Sequence, residues 1–526
     1  MKQCTRQCIL IIDFGSQYTQ LLLRRIRELG IYAKVCDWNI SQDLLVSLNP
    51  NGIIFSGGPD SVTNKHSSSI SKVVFKIGVP ILGICYGMQI LVSQCGGNIR
   101  SVSNKGEFGY AQVEILSQKN TLIGNLYDYI NDQGHCVLEV WMSHKDIVET
   151  MPQGFTVIGI TENQQIAIII NEKCRWYGIQ FHPEVTHTKK GKDILKRFAV
   201  DICRCEVTWK PVYIVKNIIK TIKKVVGQDR VVLAFSGGID SLVTALLLKY
   251  AINHEQFVCV FVNNGLLCCN EINRISNFCK KYQDLNIIHL SEEKRFLSAL
   301  TGVIDPEEKR KIIGKIFVEI FQAQISQLKN IKWLAQGTIY SDVIESGMSC
   351  ASANIIKSHH NVGGFPSSVN IQLLEPIKDL FKDEVRNIGL YLGLPLNVVN
   401  QYPCPGPGMA IRILGEVREE YCNILRRVDY IFMEELNKSD LYNTVDQAFA
   451  VFLPVQSVGV QGDQRKYKWV IVLRAIETED FMTAQWVRLP YTFLNKVSNR
   501  IVNEVEEVSR VVYDISCKPP ATIEWE

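Results

Sequence analysis

Nowhere does this sequence run for about 18 unbroken apolar residues, the length a membrane-crossing helix needs, so no membrane span is expected. A secretory leader is also missing from its first residues. Met1 to Gln7 is polar, and the apolar run from Ile9 is cut off by Asp13. Both absences point to a cytoplasmic protein. Charge of one sign is scarce: 57 basic against 53 acidic residues leave a net +4, too little for an extended nucleic-acid surface, so neither nucleic acid nor membrane is expected as a partner. Cysteine is plentiful, with 17 residues, but zinc-site spacing is lacking. Cys203–Arg204–Cys205 and Cys268–Cys269 have no His or further Cys near them in the sequence, so no structural metal is expected and most thiols read as reduced, buried small hydrophobes. Internal repeats and low-complexity tracts are absent too, which excludes solenoids and arrays.

What is present is a globular chain of 526 residues, long enough for about three domains. Short apolar runs alternate with amphipathic stretches. Ile9–Ile12, Gly52–Phe55 and Val79–Ile84 read as strands and Tyr18–Leu29 as a helix, with antiparallel strands near Gln112–Ile115 and Val157–Ile160. A helix over Gly191–Cys203 precedes Trp209–Pro211, where a second α/β pattern begins. It comprises the amphipathic stretch Val212–Val226, the strand Val231–Phe235, the helix Leu242–Tyr250 and the strand Phe257–Val262. This order implies βαβ units and a parallel sheet. Tyr402–Gly408 reads Y-P-C-P-G-P-G, which neither a helix nor a central strand tolerates. Beyond it, strands Gln456–Val460 and Trp469–Arg474 and a helix Tyr491–Val508 suggest a small α+β region. The expected fold is therefore two successive α/β domains with largely parallel sheets, 1–206 and 207–401, followed by a C-terminal α+β domain, 402–526.

Chemistry concentrates at two places. Gly83–Ile84–Cys85–Tyr86–Gly87 follows an apolar strand and precedes the helix-like Met88–Ser93, the geometry of a nucleophile elbow with Cys in place of Ser. Glycines flank the nucleophile because a sharp turn leaves no room for side chains, and a helix N-terminus favours a thiolate. Alone, a cysteine packed behind a tight turn fits equally well. Gln180–Phe181–His182–Pro183–Glu184 follows the strand-like Trp176–Ile179 and adds a base with a carboxylate two residues on. Cys85, His182 and Glu184 then compose a triad. In Phe55–Ser56–Gly57–Gly58–Pro59, the backbone N–H groups of Gly57 and Gly58, with that of Tyr86, suit an oxyanion hole.

The second place is Phe235–Ser236–Gly237–Gly238–Ile239–Asp240–Ser241, between a strand and a helix. Small residues let backbone N–H groups wrap an anion at a helix N-terminus. No Gly-Lys-[Ser/Thr] closes the loop, so it is not a Walker A motif.

These motifs resemble known families. Asp13-Phe14-Gly15-Ser16-Gln17-Tyr18, the S-G-G-P loop, G-I-C-Y-G-M-Q and F-H-P-E, in that order, resemble the class I glutamine amidotransferases. The resemblance implies that Gln89, Ser143 and His144 help hold glutamine. Lys145 stands where that family commonly has glycine. S-G-G-x-D-S resembles the loop of the ATP pyrophosphatases, which implies ATP at Ser236, Gly237, Gly238, Ile239, Asp240, Ser241 and Val262, with Asp240 serving Mg²⁺, a hard cation that prefers oxygen. A sulfur-transfer enzyme acting on tRNA carries the same loop, but the triad region and the near-neutral charge argue against it. Intact Cys85, His182 and Glu184 argue against a binding protein with decayed sites.

Gln336–Ser346, Ile356–Gly364, Pro405–Gly408, Gln456–Asp463 and the terminal Lys518–Glu526 resemble the GMP synthetase family across the whole chain. That resemblance implies a reaction in which O2 of xanthosine monophosphate attacks the α-phosphate of ATP, pyrophosphate leaves, and ammonia released from glutamine displaces AMP to give GMP. It implies a lid carrying Asp342, Glu345 and Lys357, nucleotide contacts from Arg310, Lys518, Ile523 and Glu524, and a homodimer built by the C-terminal domain. Lys309–Lys311 reads equally as a solvated basic helix face. Asn263, Cys268, Gln401, Tyr402 and Cys404 depart from the family pattern.

Overall fold

The computed structural model describes residues 7–63, 70–101, 106–268, 271–282, 285–328, 330–345, 371–402, 404–461, 464–478 and 483–526. They form two compact units, Met1–Tyr213 and Ile214–Glu526.

The first unit is built on a ten-stranded sheet. Ala33–Asp37, Ile9–Asp13, Gly52–Phe55, Ile81–Ile84 and Trp176–Ile179 lie side by side and parallel. Ile9–Asp13 is buried throughout, as a continuous apolar run covered on both faces must be. From Trp176–Ile179 the sheet continues antiparallel through Ile166–Asn171, Thr156–Thr161, Glu107–Ile115, Cys136–His144 and Tyr129–Ile130. This antiparallel half is larger than the two antiparallel strands legible in the sequence and extends the expected parallel sheet on one side. The expected helix over Gly191–Cys203 is α-helical only over Gly191–Lys196 and continues as a π-helix, Arg197–Ile202.

In the second unit, five parallel strands stand in the order Ile287–Ser291, Phe257–Asn263, Arg230–Ala234, Ile331–Ala335, Gln372–Leu374. Beyond residue 402, Gln447–Gln461 and Gln464–Glu477 form a long antiparallel hairpin, and Val508–Tyr513 adds a parallel strand to it. The helix read as Tyr491–Val508 ends at Glu504, because Val505 is extended (φ −115°, ψ 93°) and Val508 pairs with Trp469. One core joins the two regions. Val232, Val260 and Leu334 of the parallel sheet and Ile313 and Ile320 of the helix Pro306–Gln327 cluster with Ile424, Phe432, Phe452, Ile471 and Val497. Among the described residues no helix is long and apolar enough to cross a membrane.

Candidate active sites

In the first unit the strand Ile81–Ile84 delivers Cys85 directly to the start of the helix Tyr86–Gln94. Cys85 takes φ 51° and ψ −110°, a costly conformation for a side chain with a Cβ, and one that clusters at functional sites. The flanking glycines are sterically required. A Cβ on Gly83 would stand 2.6 Å from Gly87 O, and one on Gly87 2.4 Å from Phe55 O. Cys85 Sγ lies 3.5 Å from the carbonyl oxygen of Ser143.

The chain returns to this point after Trp176–Ile179, whose parallel pairing with Ile81–Ile84 brings the ends of both strands together. His182 Nδ1 is 2.8 Å from Glu184 Oε1, and both residues are buried. Burial opposes charge on His182, but the Glu184 carboxylate and a hydrogen-bonding interaction with Cys85 outweigh it and hold its pKa well above that of ordinary imidazole. With Nδ1 committed to Glu184, Nε2 is the nitrogen left for the thiol. The structure thus brings Cys85, His182 and Glu184 together. The Gly57–Gly58 loop adjoins them: a Cβ on Gly57 would lie 3.1 Å from His182 Cε1, and one on Gly58 2.9 Å from Tyr86 Cδ1. Gln89 donates to Asp146 O (3.2 Å) and Gln180 Oε1 (3.4 Å). His144 points into the fold, with Nδ1 3.1 Å from Asp146 O and Nε2 3.3 Å from Glu107 Oε2. Ser143 and Lys145 are exposed.

In the second unit, the loop between Arg230–Ala234 and the helix Ile239–Ala251 is organised around one hydroxyl. Ser241 Oγ accepts from Gly237 N at 3.0 Å and donates to Gly238 O at 2.9 Å, while Gly238 N donates to Ser236 Oγ at 3.3 Å. Asp240 Oδ2 accepts from Lys382 Nζ at 2.6 Å, and Asp240 Oδ1 is buried with no hydrogen-bond partner among the described residues. Val262 is buried on the neighbouring strand. A cavity of 230 Å³ opens beside Gly237, lined by Ile275, Phe278, Tyr282, Leu394 and Val398.

Comparison with known proteins agrees with this two-site arrangement. Family models match at residues 10–202 (glutamine amidotransferase class-I), 212–311 (NAD synthase) and 434–525 (GMP synthase C terminal domain). Over all of both chains, the sequence is 62% identical to the GMP synthase [glutamine-hydrolyzing] of Blochmanniella pennsylvanica and 55% identical to that of Yersinia enterocolitica. Its identity to the enzyme of the same name from Shewanella loihica is 55% over 98% of each chain. The chain belongs to the glutamine-hydrolysing GMP synthase family.

Membership of the GMP synthase family gives the remaining residues a context. Asp342 Oδ2 accepts from Ile339 N at 2.9 Å, and Glu345 is the last residue of the helix Tyr340–Glu345. Lys357 lies outside the described residues. Arg310 pairs with Glu307 at 3.5 Å. Ile523 packs its side chain among Phe449, Val451, Val472 and Ile476. Glu524 is gripped by Arg412 Nε and Nη2 at 3.1 and 2.9 Å, and Lys518 exchanges backbone hydrogen bonds with Ala484.

One lysine has no part in the sequence reading, and a second stands differently from it. Lys382, which pairs with Asp240, begins the helix Lys382–Tyr391; its only signal is a lone basic residue ahead of Asp383 and Glu384. Lys309 is wholly buried and donates to Ala410 O (3.1 Å), Ile413 O (2.8 Å) and the carboxylate of Glu526. Burial lowers its pKa, against the pull of Glu526. It is a structural clamp on the terminal segment, not part of a solvated face.

Proposed function

We propose that the two sites act in sequence to make GMP. Residues 1–206 release ammonia from glutamine, residues 207–401 activate xanthosine monophosphate with ATP, and residues 402–526 complete the nucleotide site and pair two chains as a homodimer in the cytoplasm. The observation that carries the first half is the buried Cys85–His182–Glu184 arrangement, with Cys85 on a strained turn.

Cys85 Sγ attacks the side-chain amide carbon of glutamine while His182 Nε2 takes the thiol proton. The oxyanion is met by backbone N–H groups of Gly57, Gly58 and Tyr86. His182 returns the proton to the departing ammonia, and Glu184 keeps its tautomer and balances its charge. Water then cleaves the thioester, giving glutamate and free Cys85. Gln89, Ser143 and His144 shape the glutamine pocket, the last two through the loop they anchor.

The loop Ser236–Ser241 cradles the pyrophosphate end of ATP, with Val262 on the adjoining strand, and Asp342, Glu345 and Lys357 close over the nucleotide. Xanthosine monophosphate attacks the α-phosphate through O2 and pyrophosphate departs. Ammonia then replaces AMP at C2. Arg310, Lys518, Ile523 and Glu524 form or support the xanthosine monophosphate site. Asp240 suits Mg²⁺: its Oδ1 is buried and has no partner among the described residues, and carboxylate oxygen is the donor that hard cation takes. Bound there with ATP, Mg²⁺ would neutralise phosphate charge.

The test is GMP formation from xanthosine monophosphate, ATP and Mg²⁺, with glutamine or an ammonium salt, in wild type and Cys85→Ala. The variant should fail with glutamine and work with ammonium. Absence of GMP from either nitrogen source in wild type would overturn the acceptor assignment.

A further inference from the structure

Two of the positions that depart from the family pattern, Cys268 and Cys404, are 136 residues apart in sequence and meet in the fold, with Sγ atoms 3.1 Å from each other. Cys268 follows the strand Phe257–Asn263, and Cys404 lies in the segment entering the C-terminal region. Their backbones are fixed side by side independently of the thiols. Met409 N donates to Leu266 O at 2.8 Å, and Gly408, at φ +61°, packs so closely that a Cβ would stand 2.3 Å from Leu266 O. Tyr402 stacks on Tyr442 and donates its hydroxyl to Tyr442 O at 2.6 Å. Both thiols line a cavity of 710 Å³ with Glu271, Arg412 and Asp429, and both are part-exposed.

We propose that Cys268 and Cys404 are a redox-controlled pair that closes to a disulfide with a low-molecular-weight disulfide and reopens with a thiol reductant. The sulfurs need to approach by only about 1 Å to reach bonding distance. Cys268, Glu271 and Cys404 also form a group of metal-ligand type, but two features favour the disulfide. Thiolates sharing a tetrahedral zinc ion at about 2.3 Å stand about 3.8 Å apart, farther than these. Arg412 Nη1 is 3.7 Å from Cys268 Sγ, a fixed cation beside the group that would repel a bound metal ion. The same guanidinium gives Cys268 a counter-charge as the attacking sulfur. The contact with Cys268, together with burial, pushes the Cys404 thiol well above its ordinary range, so Cys404 is the second sulfur to react and not the first.

With oxidised glutathione the step balances. Cys268 thiolate attacks one glutathione sulfur, and the other glutathione leaves as thiolate and takes up a proton. Cys404 then gives up its proton and attacks Cys268 Sγ, expelling the second glutathione as thiol. Two protein S–H bonds become one S–S bond, and one small disulfide becomes two thiols.

The experiment treats the folded full-length protein with oxidised glutathione, alkylates the remaining thiols and maps peptides by mass spectrometry. A Cys268–Cys404 cross-link is expected, lost on dithiothreitol treatment and retained in Cys269→Ser. Its yield should exceed by at least about tenfold that in the urea-unfolded chain, where other cysteines compete. Cys404→Ser should trap glutathione on Cys268. Alkylation of both Cys268 and Cys404 after full treatment would overturn the proposal. So would a stoichiometric zinc ion that survives gel filtration and is lost in the Cys268→Ser, Cys404→Ser double variant.

Discussion

Lys382 Nζ donates to Asp240 Oδ2 across 2.6 Å, joining residues 142 apart in sequence. The pair sets an ammonium group against the acidic member of the Ser236–Ser241 loop, with both side chains roughly a quarter exposed. A mobile ammonium group at an anion-binding loop can leave its carboxylate for a phosphate.

Lys382→Met should therefore lower kcat/KM for ATP by about 100-fold in ammonium-driven synthesis, the usual cost of deleting one charge-stabilising donor. Pyrophosphate release is the direct readout. Lys382→Arg should restore part of the rate. A Lys382→Met variant within about threefold of wild type would make the lysine only a partner of Asp240.

Glu184→Gln keeps the shape of the buried pair and removes the charge that holds the His182 pKa up. Glutaminase kcat should fall at least about 100-fold through loss of the correct tautomer. Ammonium-driven synthesis should be unaffected. An equal loss of both activities would mean that the substitution disturbs the fold rather than the base.

The local geometry at Cys85 was legible because strand, turn and helix are contiguous in sequence and the glycines stand where a Cβ would collide. His182 and Glu184 were legible for the same reason, being two residues apart after a strand. Contacts between distant residues were not. Lys309 sits in a run of charge that reads as a solvated face, yet segments about 100 residues downstream bury it. The strand Gln447–Gln461 was legible only beyond its middle, because Pro454 interrupts the apolar pattern where the register shifts between Leu453 and Gln456. The meeting of Cys268 with Cys404 is tertiary information, and each thiol alone reads as an isolated departure.

Gly87→Ala tests the steric argument. Its Cβ would lie 2.4 Å from Phe55 O and 2.6 Å from Phe55 Cβ, so the helix Tyr86–Gln94 or the strand Gly52–Phe55 must shift. Destabilisation of more than about 2 kcal/mol is expected, read as a lower melting midpoint together with lost glutaminase activity. An unchanged midpoint would refute the close-packing account of the turn.

The acid stability of the first unit provides the last prediction. Glu107 is buried, which by itself raises its pKa, but hydrogen bonds with His144, Asn163 and Thr161 outweigh burial and hold it below the ordinary 4.5. A carboxylate depressed in the folded state contributes stability above its unfolded pKa and loses it as pH falls through the folded value. Wild type should thus exceed Glu107→Gln in melting midpoint at neutral pH, and the gap should close as pH is lowered below 4.5. Because other carboxylates titrate in the same range in both proteins, the difference between the two curves isolates Glu107. A gap that is constant with pH would show that the substitution acts through packing alone, and that the His144–Glu107 contact supplies no charge-dependent stability.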